Sequence, residues 1–254
     1  MISKKQAKLV RSLEVGKYRR RERLFVAEGP KLVGELLTAK FTPKAIFATP
    51  DWQTESNKEL NKQSSINIIS DNELRSISLQ RNPNQVLALF PLPEYTLPSD
   101  LGRTNIVLAL DGIQDPGNMG TICRIADWFG IEDIICSHET VDIFNPKSIQ
   151  ATMGAIARIK IHYCDLENYL STARNLGIPV YGTFLEGNNL YDTQLSTNGI
   201  VVMGNEGNGI SSNVSNLVSN RLLIPNYPAG RITTESLNVA VATAITVAEF
   251  RRRG

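Results

Sequence analysis

The sequence has little of what metal centres, disulfide scaffolds and membrane spans require. Its 254 residues include three cysteines and two histidines, without a Cys-x-x-Cys or His-Glu-x-x-His pattern. We therefore expect buried, reduced cysteines, no structural zinc and no metal in the chemistry. No apolar run reaches the ~18 residues of a transmembrane helix, and no apolar segment follows the charged N-terminus as it would in a signal peptide. These absences favour a cytoplasmic protein that does not engage a membrane.

Charge is nearly balanced over the chain but unevenly distributed along it. The net charge is +2, yet the first 31 residues hold ten basic and three acidic side chains, a local charge of +7. Such a block is typical of nucleic-acid binding, because neutralised phosphates release counterions. The predicted RNA-binding residues are Lys4, Lys5, Lys8, Arg19, Arg20, Arg21 and Arg23. The alternative is a solvated helix face without a ligand.

A proline-rich stretch at 91–102 separates two segments in which helices and strands alternate. This pattern predicts an α/β fold with an N-terminal domain at 1–92, a linker at 93–104 and a second domain at 105–254. The strands of the second domain are continuous apolar runs, which indicates a parallel sheet covered by helices on both faces. Ligands of such sheets bind at the carboxyl ends of the strands, near a topological switch.

Hydrophobic periodicity predicts the individual elements of both segments. Before the linker it predicts helices at 3–14, from Pro30, near 55–61 and at 71–78, and strands at 23–28, 44–48, 66–69 and 85–90. After the linker it predicts strands at 105–111, 132–136, 157–162, 179–184, 199–204 and 221–225. The helices expected there are 117–129, 146–153, 165–176, 211–218 and 235–252.

Three glycine-rich segments follow strands of the second domain, and the first extends from Gly112 to Arg124. If a helix begins near Asn118, Arg124 lies about two turns into it and away from its apolar neighbours. An arginine there can reach a phosphate above the strand ends. The alternative is turn chemistry for the glycines and a surface ion pair for the arginine.

The second segment extends from Gly204 to Gly209 and the third from Leu222 to Asn238. Backbone without side chains lets a ligand approach closely, but the second segment is neither a Walker loop nor a dinucleotide fingerprint. In the third, Ser236 and Asn238 precede a helix of small apolar residues, and the alternative is that they act only as caps. We expect that helix to be buried within the domain or at a dimer interface.

Taken in order, the three segments resemble the motifs of the SpoU (TrmH-type) branch of the SPOUT RNA methyltransferases. The first motif is similar to Asn118-x-Gly120-x-x-x-Arg124, and the second to Gly204-Asn-Glu206-Gly207-x-Gly209. The third is similar to Ile224-Pro225 with Ser236-Leu237-Asn238. Between the first two, Asn145-Pro-Lys and Gly154-Ala155 also resemble the family. More faintly, Phe25-Val-Ala-Glu28-Gly29 resembles the start of a small α/β RNA-binding domain that many members carry.

The resemblance implies an S-adenosylmethionine-dependent methyltransferase acting on a ribose 2′-hydroxyl of RNA, as a homodimer whose second domain contains a C-terminal trefoil knot. The N-terminal domain favours ribosomal RNA over transfer RNA by analogy. The implied catalytic residues are Arg124, Asn118, Glu206, Ser236 and Asn238. The implied cofactor-binding residues are Gly204, Glu206, Gly209, Ile224, Pro225, Ser236, Leu237 and Asn238. The span between Pro225 and Ser236 is longer than the common family pattern, so no cofactor contact is assigned to 226–234.

The family's central role for the first-motif arginine falls on Arg124. Because a guanidinium stays protonated in proteins, we expect Arg124 to hold a phosphate and stabilise the developing alkoxide rather than remove a proton. Glu206 is the one obvious candidate base in the three segments. Two other functions stay open from sequence: a non-catalytic RNA-binding protein that retains the fold, and a nucleotide-dependent α/β enzyme of another family. The intact polar residues of the three segments disfavour the first of these.

Overall fold

The computed structural model describes residues 2–55, 66–228, 231–232 and 234–253, with residues 53–55 described by their backbone alone. The chain forms two compact units. The first comprises Met1–Glu94 and Asp142–Arg158, and the second comprises Tyr95–Val141 and Ile159–Gly254. The division between Glu94 and Tyr95 falls inside the predicted linker at 93–104. The sequence pattern assigned 142–158 to the second domain, whereas the structure places this segment in the first unit.

Helices and strands alternate in the first unit. Its elements before the linker are α1 (Lys4–Ser12), α2 (Gly16–Glu22), β1 (Leu24–Glu28), α3 (Pro30–Thr38), β2 (Ala45–Ala48), α4 (Pro50–Glu55), β3 (Ile66–Ile68), α5 (Asp71–Ile77) and β4 (Val86–Pro91). The helix predicted at 3–14 is α1, which ends at Ser12 because the chain turns at residues 13–15. Helix α2, beyond that turn, is one that the sequence pattern did not predict. The helix predicted near 55–61 falls largely on residues 56–61, which lie outside the described part of the chain.

The four strands of the first unit form one sheet in the order β1-β4-β2-β3. Strand β4 is antiparallel to β1 and β2, while β2 and β3 are parallel. One face carries a core in which Val26, Phe47 and Leu87 pack with Val10 of α1 and Leu74 of α5. Burying the apolar side of α1 leaves the lysines of this helix exposed on its other side.

The second unit contains the remaining elements. They are β5 (Ile106–Asp111), α6 (Pro116–Trp128), β6 (Asp133–Cys136), β7 (Lys160–Tyr163), α8 (Leu166–Asn175), β8 (Val180–Asn189), β9 (Gly199–Gly204), α9 (Ser212–Ser215), β10 (Asn220–Leu223) and α10 (Val239–Arg252). Helix α7 (Pro146–Ala151) and a 3₁₀ turn (Ala155–Ala157) lie between β6 and β7 in the sequence but belong to the first unit.

Long-range contacts explain why residues 142–158 join the first unit. The Phe144 ring lies 5.0 Å from the Phe25 ring, centroid to centroid. The Arg158 guanidinium lies 2.6 Å from a carboxylate oxygen of Glu35. Each partner is more than 100 positions away in the chain, so local periodicity does not reveal these contacts.

The six strands of the second unit form a parallel sheet in the order β10-β8-β9-β5-β6-β7. From β5 the chain adds β6 and β7 on one side, and β9, β8 and β10 lie on the other. The order therefore reverses between β5 and β9, which is where parallel sheets bind their ligands. This topology confirms the predicted fold class. The trefoil knot stays a prediction.

Several elements differ from their predicted bounds. Helix α9 is a single turn instead of 211–218, and β8 continues to Asn189 instead of ending at 184. Helix α10 begins at Val239 rather than at 235, because the Asn238 side chain accepts hydrogen bonds from Ala240 N and Val241 N and caps it. Within the described residues, no helix is long and apolar enough to cross a membrane.

The three cysteines are free thiols, and all of them belong to the second unit. Cys123 and Cys136 are buried, and Cys164 is half-buried. Burial raises the pKa of the Cys123 thiol to about 12, which keeps it protonated at neutral pH. Across the described part of the chain, no group of three or more histidine, cysteine or acidic residues has a geometry that fits a metal ion.

Candidate active site

Two of the three glycine-rich segments meet at the switch point of the parallel sheet. Strands β5 and β9 are neighbours, and their last residues, Asp111 and Gly204, lie opposite each other in the register. The Asp111 carboxylate accepts a 2.7 Å hydrogen bond from Ser211 N, just beyond the second segment. The end of one strand therefore holds the loop that follows the other.

Asn205 stabilises the loop that follows β9 and links it to the loop that follows β5. Its side-chain amide donates to Gly112 O at 2.6 Å, while its Oδ1 accepts from Gly207 N and Asn208 N at 2.9 and 3.0 Å. Its backbone N–H donates to Gly209 O and its carbonyl oxygen accepts from Gly209 N, both at 2.9 Å. The motif comparison did not select Asn205, although an asparagine between a strand end and a glycine pair is a common turn former.

Gly204 is required by the loop itself. A Cβ atom at this position would lie 2.3 Å from Gly209 C and from Ile210 N, closer than packed atoms approach. The returning loop occupies the space that a side chain needs. Gly209 has a φ of +69°, a left-handed conformation that costs a side-chain-bearing residue more than it costs glycine.

A chain of side-chain hydrogen bonds joins all three segments. Asn118, in the first turn of α6, donates from Nδ2 to Glu206 Oε1 at 2.9 Å. Asn238, the cap of α10, donates from Nδ2 to Asn118 Oδ1 at 2.9 Å. Glu206 also accepts from Gln114 N and Asp115 N at 3.2 and 3.3 Å. Asn238 therefore serves both as a helix cap and as a link in this network.

The environment of Glu206 keeps its carboxyl group ionised. Burial by itself raises the pKa, but hydrogen bonds from Asn118 and from the backbone outweigh it, so the pKa lies below the ordinary value of 4.5. The stabilisation that results is fully present above the ordinary pKa and is lost as the pH falls through the lowered one. A carboxylate held in this way is a weak proton acceptor at neutral pH, so its position suits a role in orientation.

Arg124 and Ser236 are exposed and stand outside this network. Arg124 lies about two turns into α6, and among the described residues its guanidinium has no acidic partner. The surface ion pair considered for it from sequence is therefore not formed here. The Ser236 carbonyl accepts a 3.4 Å hydrogen bond from the Thr234 hydroxyl, and no contact joins Ser236 to Asn118 or Glu206 among the described residues.

The third segment also carries residues suited to an adenosyl group. Ile224 and Pro225 are half-buried directly after β10, at the same sheet edge as the ends of β5 and β9, and Leu237 is 49% exposed. Among the described residues, the backbone groups of Ile224 and Leu237 make no hydrogen bond. Apolar side chains next to free backbone donors and acceptors are the usual lining of small-molecule pockets. These residues therefore fit the cofactor that the motifs imply.

Arg19 corrects the predicted RNA-binding set. Its side chain is 4% exposed and forms a 2.6 Å ion pair with Asp142. It also donates to Leu13 O and Glu14 O at 2.8 and 2.7 Å. Every donor nitrogen is thus directed into the first unit, where Arg19 holds the turn after α1 against residue 142. It has no free face for a phosphate.

The other predicted RNA-binding residues are exposed. Arg21 pairs with the adjacent Glu22 and lies over the Tyr18 ring, and Arg23 pairs with Glu94. Lys4, Lys5, Lys8 and Arg20 have no acidic partner within the described residues. Surface ion pairs contribute little and exchange readily, so six of the seven side chains are accessible to a polyanion.

Comparison with known proteins agrees with the motif resemblance. The SpoU rRNA methylase family matches residues 105–248, and an MRM3-like substrate binding domain matches residues 4–88. The chain is 30% identical to the 23S rRNA (guanosine(2553)-2′-O)-methyltransferase RlmP of Bacillus subtilis, over 95% of this chain and 94% of that protein. It is 31% identical to the 23S rRNA (guanosine-2′-O-)-methyltransferase RlmB of Neisseria meningitidis over 61% of each chain.

Solved structures show the same architecture. A TrmH-family protein from Porphyromonas gingivalis matches at a TM-score of 0.89 and 41% identity, over the whole of both chains. An AdoMet-bound rRNA methyltransferase from Sinorhizobium meliloti matches at a TM-score of 0.87 and 30% identity, over 100% of this chain and 97% of that one. The family match over more than half of the chain, with a relative similar over nearly its full length, shows that this chain belongs to the SpoU rRNA methylase family.

Proposed function

We propose that this chain is an S-adenosylmethionine-dependent methyltransferase that modifies a ribose 2′-hydroxyl of RNA, with ribosomal RNA as the substrate. The observation that carries this proposal is the hydrogen-bonded chain Glu206–Asn118–Asn238, which joins the three motif segments at the switch point of the sheet. The relatives that act on 23S rRNA support the choice of ribosomal RNA, and a cytoplasmic location follows from that substrate.

Different residues would bind the cofactor and activate the ribose. Ile224, Pro225 and Leu237 would hold the adenosyl group, and the loop from Gly204 to Gly209 would close the pocket. The bound cofactor supplies a methyl group on a sulfonium, so the chain's own residues need only position and polarise the reacting groups.

Arg124 is the residue that we assign to the ribose. With no acidic partner among the described residues, its guanidinium can hold the phosphate beside the target nucleotide and stabilise negative charge on the 2′-oxygen. Glu206, whose pKa is lowered, orients Asn118 and the first loop instead of removing the proton. Ser236 and Asn238 would orient the ribose from the third segment.

Calorimetry with S-adenosylmethionine, ATP and NAD tests the cofactor assignment. We expect saturable binding of S-adenosylmethionine alone, with an affinity that is constant between about pH 6 and 8, because Glu206 stays ionised there. Tritium from the labelled cofactor should appear in ribosomal RNA that lacks its native modifications, at a linkage that resists alkaline cleavage. Binding without transfer to any RNA would favour a non-catalytic RNA-binding protein, and binding of ATP or NAD instead would favour another enzyme family.

We also propose that the protein is a homodimer that pairs through α6 and α10. The exposed apolar side chains Trp128 on α6 and Val241 on α10 are 85% and 49% exposed, and Leu237 adds another 49%. The two helices lie side by side, because Arg251 Nε donates to Phe129 O at 2.8 Å. A large indole in water is unfavourable, so a second copy would bury it.

Replacing Trp128 with serine should shift the protein from dimer to monomer. In sedimentation equilibrium we expect the mass to fall toward the 28.1 kDa of one chain, because the change removes the largest apolar side chain from the proposed interface. Leu176→Ser is the matched control, since Leu176 is an exposed apolar residue at the end of α8. A Trp128→Ser protein that stays dimeric would locate the interface elsewhere.

The basic residues of α1 should supply RNA affinity rather than turnover. Deleting the block would remove β1, so substitutions are the suitable test. In Lys4→Gln/Lys8→Gln, which loses two charges from one face of α1, the slope of log K against log salt should fall by roughly 1.4–1.8, the value for two lost phosphate contacts. Lys40→Gln/Lys44→Gln is the control with the same charge loss. If the salt slopes of the two doubles agree, α1 has only a solvated face.

A further inference from the structure

The first unit contains a cavity between two stretches of chain that are far apart in sequence. Its volume is ≈ 500 Å³, within the range of pockets that hold small ligands. One wall is the stretch from Leu79 to Asn82 that follows α5, and the other is α7. Val26 of β1 and Ile149 of α7 lie between the two walls and are almost fully buried. Because α7 follows the residues matched by the substrate-binding domain, that domain alone does not form this cavity.

Apart from the buried carboxyl group of Glu28, the polar side chains that line the cavity are cationic and amide groups. The cations are Arg81 and Lys147, and the amides are Gln80, Asn82 and Gln150. Among the described residues, neither the Arg81 guanidinium nor the Lys147 ammonium has an acidic partner, although both are exposed. By contrast, Arg19 and Arg158 of the same unit each pair with a carboxylate. Neither cation of the cavity is therefore paired with a carboxylate of the described residues, and the Glu28 carboxyl group that also lines it is bonded to Ser78 and Leu79 instead.

The buried carboxyl group of Glu28 holds the first wall in place. Glu28 is 4% exposed at the end of β1 and lines the cavity. It accepts a 2.9 Å hydrogen bond from Leu79 N and another from the Ser78 hydroxyl. Ser78 Oγ in turn accepts from Gln80 N at 2.9 Å. The stretch that carries Gln80 and Arg81 is thus fixed by its backbone, which leaves its longer side chains to meet a ligand.

The two walls are also joined to each other. Gln80 Nε2 donates to Gln150 Oε1 at 2.7 Å. Each of these amides keeps a further donor or acceptor for a ligand, because an amide side chain has two N–H groups and an oxygen with two lone pairs. Amides with both functions can meet the hydrogen-bonding edge of a nucleobase.

We infer that this cavity binds one unpaired nucleotide of the RNA substrate, with its phosphate at Arg81 and Lys147 and its base against Gln80 and Gln150. A base inside a helix cannot present its pairing edge to a cavity, so the site selects single-stranded RNA. The inference rests on the proposed RNA substrate and adds a binding site outside the active-site segments. It assigns a positioning role, since these residues belong to the first unit and the cofactor segments to the second.

Binding of a fluorescein-labelled single-stranded RNA 12-mer and of the same sequence as a duplex tests the inference on the full chain. In Arg81→Gln/Lys147→Gln, the single strand should bind roughly 10-fold more weakly with a salt slope lower by about 1.4, and duplex binding should change little. Gln80→Ala should weaken single-strand binding several-fold without changing the salt slope, because it removes a base contact and no charge.

Two controls make the result decisive. Lys40→Gln/Lys44→Gln removes two exposed charges of the first unit that do not line the cavity, and should leave the ratio of single-strand to duplex affinity unchanged. The affinity for S-adenosylmethionine should be the same in every variant, so failure of the proposed methyltransferase function would appear separately, as no cofactor binding by the unaltered protein. Equal losses for both RNAs, or no loss beyond that of the control, would overturn the cavity assignment.

Discussion

Arg124→Ala should lower kcat by roughly 100-fold or more while leaving the affinity for S-adenosylmethionine unchanged. The side chain is exposed and lies outside the Glu206–Asn118–Asn238 network, so its removal should not disturb the loops. Its proposed contacts strengthen as the 2′-oxygen gains negative charge, and such contacts lower the barrier without tightening ground-state binding. Turnover on unmodified ribosomal RNA, measured beside calorimetry, separates the two effects.

Arg124→Lys is the informative companion. A lysine retains the charge but lacks the planar fork that holds a phosphate with two parallel hydrogen bonds. We expect a loss of turnover close to that of alanine, because the proposed contact depends on the fork. Near-normal turnover by the lysine variant would show that charge alone suffices. Near-normal turnover by the alanine variant would remove Arg124 from the mechanism.

Gly204→Ala should abolish measurable binding of S-adenosylmethionine and also destabilise the second unit. The added methyl group would lie 2.3 Å from backbone atoms of Gly209 and Ile210, so the whole loop must shift. Overpacking of this kind costs about 1–3 kcal/mol in the free energy of unfolding. Thermal unfolding and calorimetry on the same preparation measure both consequences. Gly204→Val is less suitable, because the larger side chain would destabilise the second unit enough to mask any effect on cofactor binding.

Gly207→Ala is the matched control for this prediction. A Cβ at Gly207 meets only the Asn205 side-chain oxygen, at an ordinary contact distance of 3.6 Å. We therefore expect an unchanged melting temperature. If Gly204→Ala binds the cofactor as well as Gly207→Ala does, the pocket does not depend on the closure of this loop.

Local features of the sequence were sufficient to predict most of the fold. The runs 105–111 and 199–204 appear as β5 and β9 because a continuous apolar run between turn residues has few alternatives to a buried strand. The glycine-rich segments follow strand ends for the same local reason. Asn118, Glu206 and Asn238 were selected by motif, and the structure brings them within hydrogen-bonding distance.

Boundaries were less predictable where a single side chain decides them. Helix α10 begins where Asn238 caps it, three residues after Glu235, and the predicted first helix ends at Ser12 because the chain turns at residues 13–15. In both places the local composition is compatible with a helix. Where the helix ends depends on whether its terminal backbone groups form hydrogen bonds with a side chain or with a turn. Hydrophobic periodicity carries no information about those bonds.

Sequence alone determined that the chain alternates helices with buried strands, and which polar residues stand at the strand ends, because these properties depend on near neighbours. Only the tertiary structure decided that Arg19 is buried against Asp142, that residues 142–158 belong to the first unit, and that Gly204 has no room for a side chain. The first two depend on contacts between residues more than 100 positions apart. The third depends on how a loop returns over its own strand, and atomic packing settles it where residue type alone does not.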